Sequence, residues 1–563
     1  MPNALKVLWQ ILGILILCVF YNTLDAPFVY DDKIEVIGNT TIRFLDEWQS
    51  VFAYNQSRAI LQLTYAINYA QGGLEPRPYH ITNLFIHFLS IGAALWMVFS
   101  FSELTRHKKA TETAVIVASL WAIHPMITES VIYITGRSES LCALFCFLSL
   151  AAWSTAIHTQ RHRYRFIAAF FCLCALLCKE VAFVIPIAFA YMEWTFSPPE
   201  QSKKWRVVWQ TPIILLVVFA IGLRSWGIVQ ALQEAQSELS GINVLQNFIP
   251  QEVERPLTVR LTTQAEVWLH YFGLWVLPIK QTLYHHIPDS KLASLPGILG
   301  LLGWGVTMVS AWRFSRNSPL ARLALILGFL VLLPSSSIAS LKENMAEHRS
   351  HQMGLFLILY LIAKWPTAWR IKQKQILFAL IPLTLLTLLR TQVWQSEVGL
   401  WEEATKHNPE IGEAWYGLGD AYRFADNFEA STTAFQKCAQ LDPEYLDCWN
   451  NLGIVFAETG QFDLAESAWK TLLRKEPTNC RGHNNLGSLA FQLQDWEASK
   501  GEFISTLQYC PNNLIAHYTL ANIYYGPLND PKQSTFHYQM VLEIDPTFVY
   551  AAEARRRLLD LTW

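Results

Sequence analysis

Charge is what this chain has least of. Charged residues make up 16% of its 563 positions, where soluble globular proteins carry roughly 25%. That shortage excludes a string of three or four ordinary soluble domains, which the length alone would allow. Neither sign dominates: 43 Lys and Arg face 45 Asp and Glu, for a net charge of −2, so the basic footprint of a nucleic-acid binder is missing. Also missing are a Gly-rich phosphate loop beside a strand–helix unit, a Gly-x-Ser-x-Gly elbow and a His-Glu-x-x-His zinc helix. What the chain has instead is apolar surface. Hydrophobic residues reach 52% and aromatic residues 13%, with 22 Trp, and the mean hydropathy is +0.21. Such content excludes large-scale disorder and fits a membrane protein with aromatic belts at both water boundaries and a soluble part attached.

The change in chemistry falls near Trp394, giving residues 1–393 as a membrane domain and 394–563 as a soluble one. Twelve uncharged runs precede the break, from Val7–Leu24 to Gln375–Leu389, whereas nothing after it is long and uncharged enough to span a bilayer. The first run lacks a small-residue cleavage site and is expected to remain as a helix. Basic clusters at Arg106/Lys108/Lys109, Arg161/Arg163/Arg165, Lys203/Lys204/Arg206, Arg313/Arg316/Arg322 and Lys364/Arg370/Lys372/Lys374 should stay cytoplasmic. That holds if Val267–Ile279, short and flanked by polar segments, is re-entrant or interfacial, leaving about eleven spans and a C-terminal half outside the cytosol. Phe166–Met192 is expected to be a hairpin whose outer tip is Lys179-Glu180; a single crossing there would invert every later loop.

The soluble half repeats. Pro409, Pro443, Pro477 and Pro511 recur every 34 residues and Pro546 follows after 35. Leu418-Gly419, Leu452-Gly453, Leu486-Gly487 and Leu520-Ala521 run in phase, each preceded three residues earlier by Trp415, Trp449, His483 or His517. This period, a small residue at a fixed helix position and a closing proline mark four tetratricopeptide (TPR) repeats, with a C-terminal helix after them. An α-solenoid of this kind presents a concave groove to protein or peptide, or serves as a spacer. Six cysteines lie in apolar spans and read as small hydrophobes. Of the four in the repeats, Cys480 and Cys510 should share one tip of an antiparallel helix pair, and Cys438 and Cys448 should approach across a repeat junction. Two disulfides are expected if the array is extracytoplasmic.

Polar residues collect at one membrane face. After the first span, Phe28-Val-Tyr-Asp31-Asp32 ends in adjacent carboxylates that repel unless one is protonated or both meet a partner; a helix cap or solvated loop is the plain alternative. His80, Asn83 and His87 share one helix face. His124 and Glu129, then Arg137, then Lys179 and Glu180, and finally Glu347, His348 and Arg349 fall on the same expected side. Ionisable groups at membrane depth are costly and point to function. Cations there suit the phosphate of a lipid-linked donor, and carboxylates suit a base for an acceptor hydroxyl or ligands for a divalent metal. Together they point to group transfer from a lipid phosphate to a hydroxyl.

The stretches Phe28–Asp32, Leu63-Thr-Tyr-Ala-Ile-Asn68-Tyr with Gly72-Gly73-Leu74, and Tyr79-His80…Asn83…His87 resemble the transmembrane and tetratricopeptide repeat-containing O-mannosyltransferases. So do His124-Pro…Thr128-Glu129-Ser-Val…Gly136-Arg137, Cys178-Lys179-Glu180, Leu333-Pro334-Ser and Ala346-Glu347-His348-Arg349. The resemblance covers nearly the whole chain. It implies an all-α architecture: a multi-span GT-C glycosyltransferase domain, followed by the TPR solenoid. It further implies a polyprenyl- or dolichyl-phosphate sugar donor and transfer of a mannose-like sugar to Ser or Thr of a protein. It makes Asp31 or Asp32 the base and Glu129 a second catalytic acid. His80, Asn83, His87, His124, Arg137, Lys179, Glu180, Glu347, His348 and Arg349 are then expected around the donor. Metal dependence stays open; Mg or Mn, if used, would fall to Asp31, Asp32 and Glu129. Where the family usually has Tyr-Arg-Pro-Leu, this chain has Ser57-Arg58-Ala59-Ile60-Leu61, and its four repeats are fewer than in animal members. A bacterial relative in the inner membrane is the expectation, with the endoplasmic reticulum the alternative. Glycosylation of a lipid or surface polysaccharide, and a non-catalytic TPR scaffold, are the rival readings.

Overall fold

The computed structural model describes residues 3–198, 222, 255–291, 294–334, 343–365, 373–546 and 548–561. Among these residues the chain is helical throughout, with no strand. It divides into two compact units, the chain passing from the first to the second between Glu403 and Ala404.

In the first unit, Pro76–Leu104 and Arg137–Thr159 form its centre, with 67% and 83% of their apolar windows buried. Leu295–Phe314 has only 11% buried and therefore turns its apolar surface outward, as a peripheral span does in lipid. These three helices are long and apolar enough to cross a membrane. A fourth is reached if Ala110–Ala122 and Pro125–Ile132, bent by 64° at the break before Pro125, count as one span. Trp9–Thr23, Pro319–Leu333 and Phe378–Val393 are shorter apolar helices. The described helices of spanning length thus number three or four against the expected eleven. Apart from residue 222, the run 207–223 and the cluster Lys203/Lys204/Arg206 lie outside the described residues.

Two local expectations take a definite form. Arg163–Leu176 and Ile185–Phe196 are separated by a break at Lys179-Glu180. Arg165, at the start of the first helix, pairs with Glu193, near the end of the second, at 2.7 Å with both side chains almost wholly buried. The two helices therefore double back on each other. Val267–Val276 is the second half of the 20-residue helix Leu257–Val276, and Leu277–Ile279 lie beyond its end. Composition hid its first half because the polar positions there have partners in the returning segment. Ser290 N–H donates to Thr263 Oγ1 at 2.9 Å and Ser290 Oγ to Glu266 Oε2 at 2.9 Å.

The second unit stacks four helix pairs. They are Gly412–Phe424 with Phe428–Leu441, Leu446–Glu458 with Phe462–Lys475, Cys480–Gln492 with Trp496–Tyr509, and Leu514–Tyr525 with Pro531–Ile544. Ala551–Leu561 follows as a last helix. The in-phase glycine is a matter of space: a Cβ on Gly419 would meet the Phe435 ring at 2.8 Å, and one on Gly487 would meet Phe503 at 3.2 Å. The residue three positions ahead of each Leu-Gly pair also has one job in every repeat. Trp415 Nε1 donates to the Pro409 carbonyl at 2.9 Å and Trp449 Nε1 to Pro443 at 3.1 Å. His483 Nε2 and His517 Nε2 meet the carbonyls of Pro477 and Pro511 at 3.0 and 2.8 Å. Trp and His share the position because both carry a ring N–H that closes the turn. Both expected disulfides are present, Cys438–Cys448 and Cys480–Cys510, each with a Cα–Cα separation of 6.0 Å.

Candidate active site

The loop after the first helix is bent at Tyr30, whose φ of 49° lies in the left-handed region and places its two successors in different environments. Tyr30 is held in that bend by a hydrogen bond to Glu343 and an edge contact with Trp401. Asp31 follows with an exposed carboxylate on the wall of a cavity of about 600 Å³, and its backbone N–H donates to Tyr133 Oη at 2.9 Å. Asp32 points the other way and is 1% exposed. Its Oδ2 accepts the Val29 N–H at 3.1 Å and its Oδ1 the Thr135 N–H at 2.8 Å. Burial outweighs those two bonds and pushes the Asp32 carboxyl up to about 7. The pair read as interchangeable in sequence is therefore one open carboxylate and one buried clamp that ties two loops together.

Across the cavity stand Lys179, His348 and Arg349. Lys179 Nζ is 2.8 Å from Glu139 Oε1. Arg349 Nη1 donates to the Glu343 carbonyl at 2.9 Å. His348 is gripped twice by one carboxylate: its Nδ1 lies 2.6 Å from Glu129 Oε1, and its backbone N–H donates to Glu129 Oε2 at 3.0 Å. Glu180 also lines the wall, 3.4 Å from Arg58. Val181, Phe183, Val184, Ile187, Leu333 and Pro334 add an apolar portion to the wall. The cavity thus offers both charged groups and apolar surface.

The other expected site residues sit behind this surface. Glu129 does not line the cavity and reaches it only through His348. Arg137, expected at a donor phosphate, is fully buried with all three nitrogens engaged. Nε donates to Asn83 Oδ1 at 2.6 Å, Nη1 to Thr64 Oγ1 at 2.9 Å and Nη2 to the Tyr79 carbonyl at 2.8 Å, with the Tyr65 ring 4.9 Å away. Its role here is to tie three segments together. Asn83 also donates to the Val131 and Tyr133 carbonyls. His80, His87 and His124 bond to the backbone carbonyls of Ala26, Ala122 and Trp275. Glu347 accepts from Gln281, from the Thr282 N–H and from His285. Burial would raise its carboxyl, but the His285 contact and the Arg390 charge hold it below the ordinary value. Sequence reasoning passed over Arg58, Tyr133 and Glu35, all on the cavity wall. Tyr133 carried a signal, four residues after Glu129; Arg58 sat in the stretch where the family pattern is lost.

A divalent metal finds no fitting donor set in these residues. Both Asp32 oxygens are taken by backbone N–H groups and both Glu129 oxygens by His348. No group of three or more His, Cys, Asp or Glu side chains is disposed to hold a metal ion among the described residues.

Tetratricopeptide repeat models match residues 412–445 and 450–525. Protein O-mannosyl-transferase Tmtc3 of Drosophila melanogaster is 24% identical over 520 residues, covering 77% of this chain and 55% of its own length. The chain is homologous to the TMTC protein O-mannosyl-transferases. TMTC3 of Homo sapiens aligns at 24% identity over 77% of this chain and 51% of its own length. TMTC4 of Mus musculus is 29% identical over 32% of this chain and 28% of its own. The chain thus spans about half the length, or less, of these relatives. Among solved structures, MamA 41-end from Desulfovibrio magneticus RS-1 aligns with 27% of this chain at 19% identity and a TM-score of 0.25.

Proposed function

We propose that this chain is a membrane glycosyltransferase of the GT-C type. It moves a mannose-like sugar from a polyprenyl-phosphate donor to Ser or Thr hydroxyls of an extracytoplasmic protein, which the TPR array recruits. The observation that carries this reading is the cavity, in which the open Asp31 carboxylate shares one chamber with Lys179, His348 and Arg349 beside an apolar wall. Asp31 takes the proton of the acceptor hydroxyl; the freed oxygen bonds to the anomeric carbon, and the bond from that carbon to the phosphate oxygen breaks. Lys179 and Arg349 hold the phosphate and stabilise the charge it gains on leaving. The apolar wall takes the first isoprenoid units, and Asp32 holds the loop that presents Asp31.

An eleven-span arrangement with the repeats outside the cytosol completes the proposal, and the two disulfides of the array support that placement. The O-mannosyl-transferase names of the relatives support the reaction class. The test is comparative glycoproteomics of envelope proteins from cells with the gene, without it, and with Asp31→Asn. Hexosylated Ser or Thr peptides should appear only with the wild-type gene. Their persistence in the Asp31→Asn strain would remove Asp31 as the base, and an unchanged glycoproteome without the gene would remove the reading.

A further inference from the structure

The turn that presents Asp31 is closed by its own backbone. The Lys33 N–H donates to the Tyr30 carbonyl at 3.2 Å, and the Ile34 and Glu35 N–H groups donate to the Asp31 carbonyl at 3.0 and 2.8 Å. Such a turn moves as one piece, so whatever grips its two ends sets where the Asp31 carboxylate lies. Those ends are Tyr30 and Lys33, and both rest on a single helix, Glu397–His407. The Tyr30 ring meets Trp401 edge-on, with centroids 6.0 Å apart, and Lys33 Nζ is 2.8 Å from Glu397 Oε1. Glu397 and Trp401 are one helical turn apart and therefore share a face. Trp401 is buried and the ion pair is partly buried, so neither contact is a loose surface encounter. The helix is itself tied down, because Glu403 pairs with Arg390 of the helix Gln373–Val393. Composition puts the change to soluble chemistry at Trp394, yet residues 397–403 belong to the same compact unit as Asp31.

We propose that Glu397 and Trp401 are positioning residues of the transfer reaction, holding Lys33 and Tyr30 so that the Asp31 carboxylate lies where the acceptor hydroxyl arrives. This rests on the reading of Asp31 as the base. Tyr30, Lys33, Glu397 and Trp401 are all absent from the cavity wall, so they act through the turn and not on the donor or acceptor. A base must be held within about 0.5 Å of its productive place by neighbours that are themselves locked. The two contacts divide that task. Trp401 backs Tyr30, whose φ of 49° is a conformation that persists only where the surroundings over-determine it. The ion pair fixes the far end and stops the turn from swinging about Tyr30. Asp32, bonded to the Val29 and Thr135 N–H groups, fixes the turn from the opposite side. The segment that joins the last apolar helix to the repeats is thus part of the transfer machinery and not a tether.

The test uses the full chain in lipid nanodiscs, with mannosylphosphoryl phytanol as donor and an unmodified peptide copied from a hexosylated site as acceptor. Its main readout is the single-turnover rate constant, which does not depend on how much of a preparation is folded. Lys33→Met, Glu397→Gln and Trp401→Leu should each lower it by about tenfold or more, a 1 Å misplacement being worth about 10²-fold, while affinity for phytanyl phosphate stays within about twofold. Lys33→Arg and Trp401→Phe, which keep the charge and the ring, should retain most of the rate. Lys33→Met combined with Glu397→Gln should be no slower than either alone, because both remove the same contact. Hydrogen exchange gives a readout independent of turnover: the Ile34 and Glu35 amides should exchange about tenfold faster in Glu397→Gln and Trp401→Leu. Should Trp401→Leu not fold, the Lys33–Glu397 pair decides alone. Unchanged exchange in the turn overturns the inference whatever the activity. A loosened turn with an undiminished rate constant overturns it too and leaves the transferase reading standing. Failure of the wild type to transfer hexose overturns the transferase reading itself, and any positioning role with it.

Discussion

Asp31 and Asp32 are adjacent in the chain and face opposite ways, the first into the cavity and the second onto the N–H groups of Val29 and Thr135. Substituting them should therefore produce two different defects. Asp31→Asn should abolish sugar transfer while leaving the melting temperature of the purified chain unchanged. Asp32→Asn turns an NH₂ toward one of two backbone donors, and leaving a buried donor unpaired costs about 1–3 kcal/mol. It should lower the melting temperature, and activity should fall only as far as the folded fraction does. Equal thermal behaviour of the two variants would contradict the assignment.

The same burial sets a pH dependence. A carboxyl raised in the folded state from 3.8 to about 7 contributes stability that is complete below pH 3.8 and is lost as pH climbs through 7. The gap in melting temperature between wild type and Asp32→Asn should therefore narrow from pH 4 to pH 8, measured in the same detergent. A gap that widens would show that Asp32 is charged at rest.

The turn-closing ring N–H of the repeats is separable from the ring's bulk. Trp415→Phe and Trp449→Phe keep the aromatic surface and lose the bond to Pro409 or Pro443. Each should cost about 1 kcal/mol in denaturant unfolding.

The two disulfides predict a thiol count. Without reductant, the unfolded chain should expose six alkylatable cysteines, namely Cys18, Cys142, Cys146, Cys172, Cys174 and Cys178. Replacing Cys480 and Cys510 by Ser opens a bridge across 30 residues and should cost about 3.6 kcal/mol, about 1 kcal/mol more than opening the 10-residue bridge Cys438–Cys448.

The repeats were legible because their constraint is periodic. A missing Cβ at Gly419 and a ring N–H at Trp415 answer to neighbours at fixed offsets, so the requirement prints itself into the sequence every 34 residues. The cavity was legible in membership more than in role. Asp31, Lys179, Glu180, His348 and Arg349 do converge on it. Arg137 was misread because its partners, Thr64, Tyr79 and Asn83, lie in two separate helices, and one of them is a carbonyl that every residue carries. A buried cation looks the same in sequence whether its donors meet a ligand or the protein's own backbone. Glu129 was placed one layer too far forward for the same reason, since nothing local records that His348, 219 positions later, stands between it and the chamber.

The buried contact between Arg165 and Glu193 reaches beyond packing. It staples the entry and the exit of one helical pair, so the polypeptide leaves this element where it came in. Reporter tags fused at Gln160 and at Pro198 must then become protease-sensitive from the same compartment, whatever the total tally of crossings. Arg165→Ala leaves the buried Glu193 carboxylate without this partner, a change that costs about 3–5 kcal/mol and should lower the melting temperature.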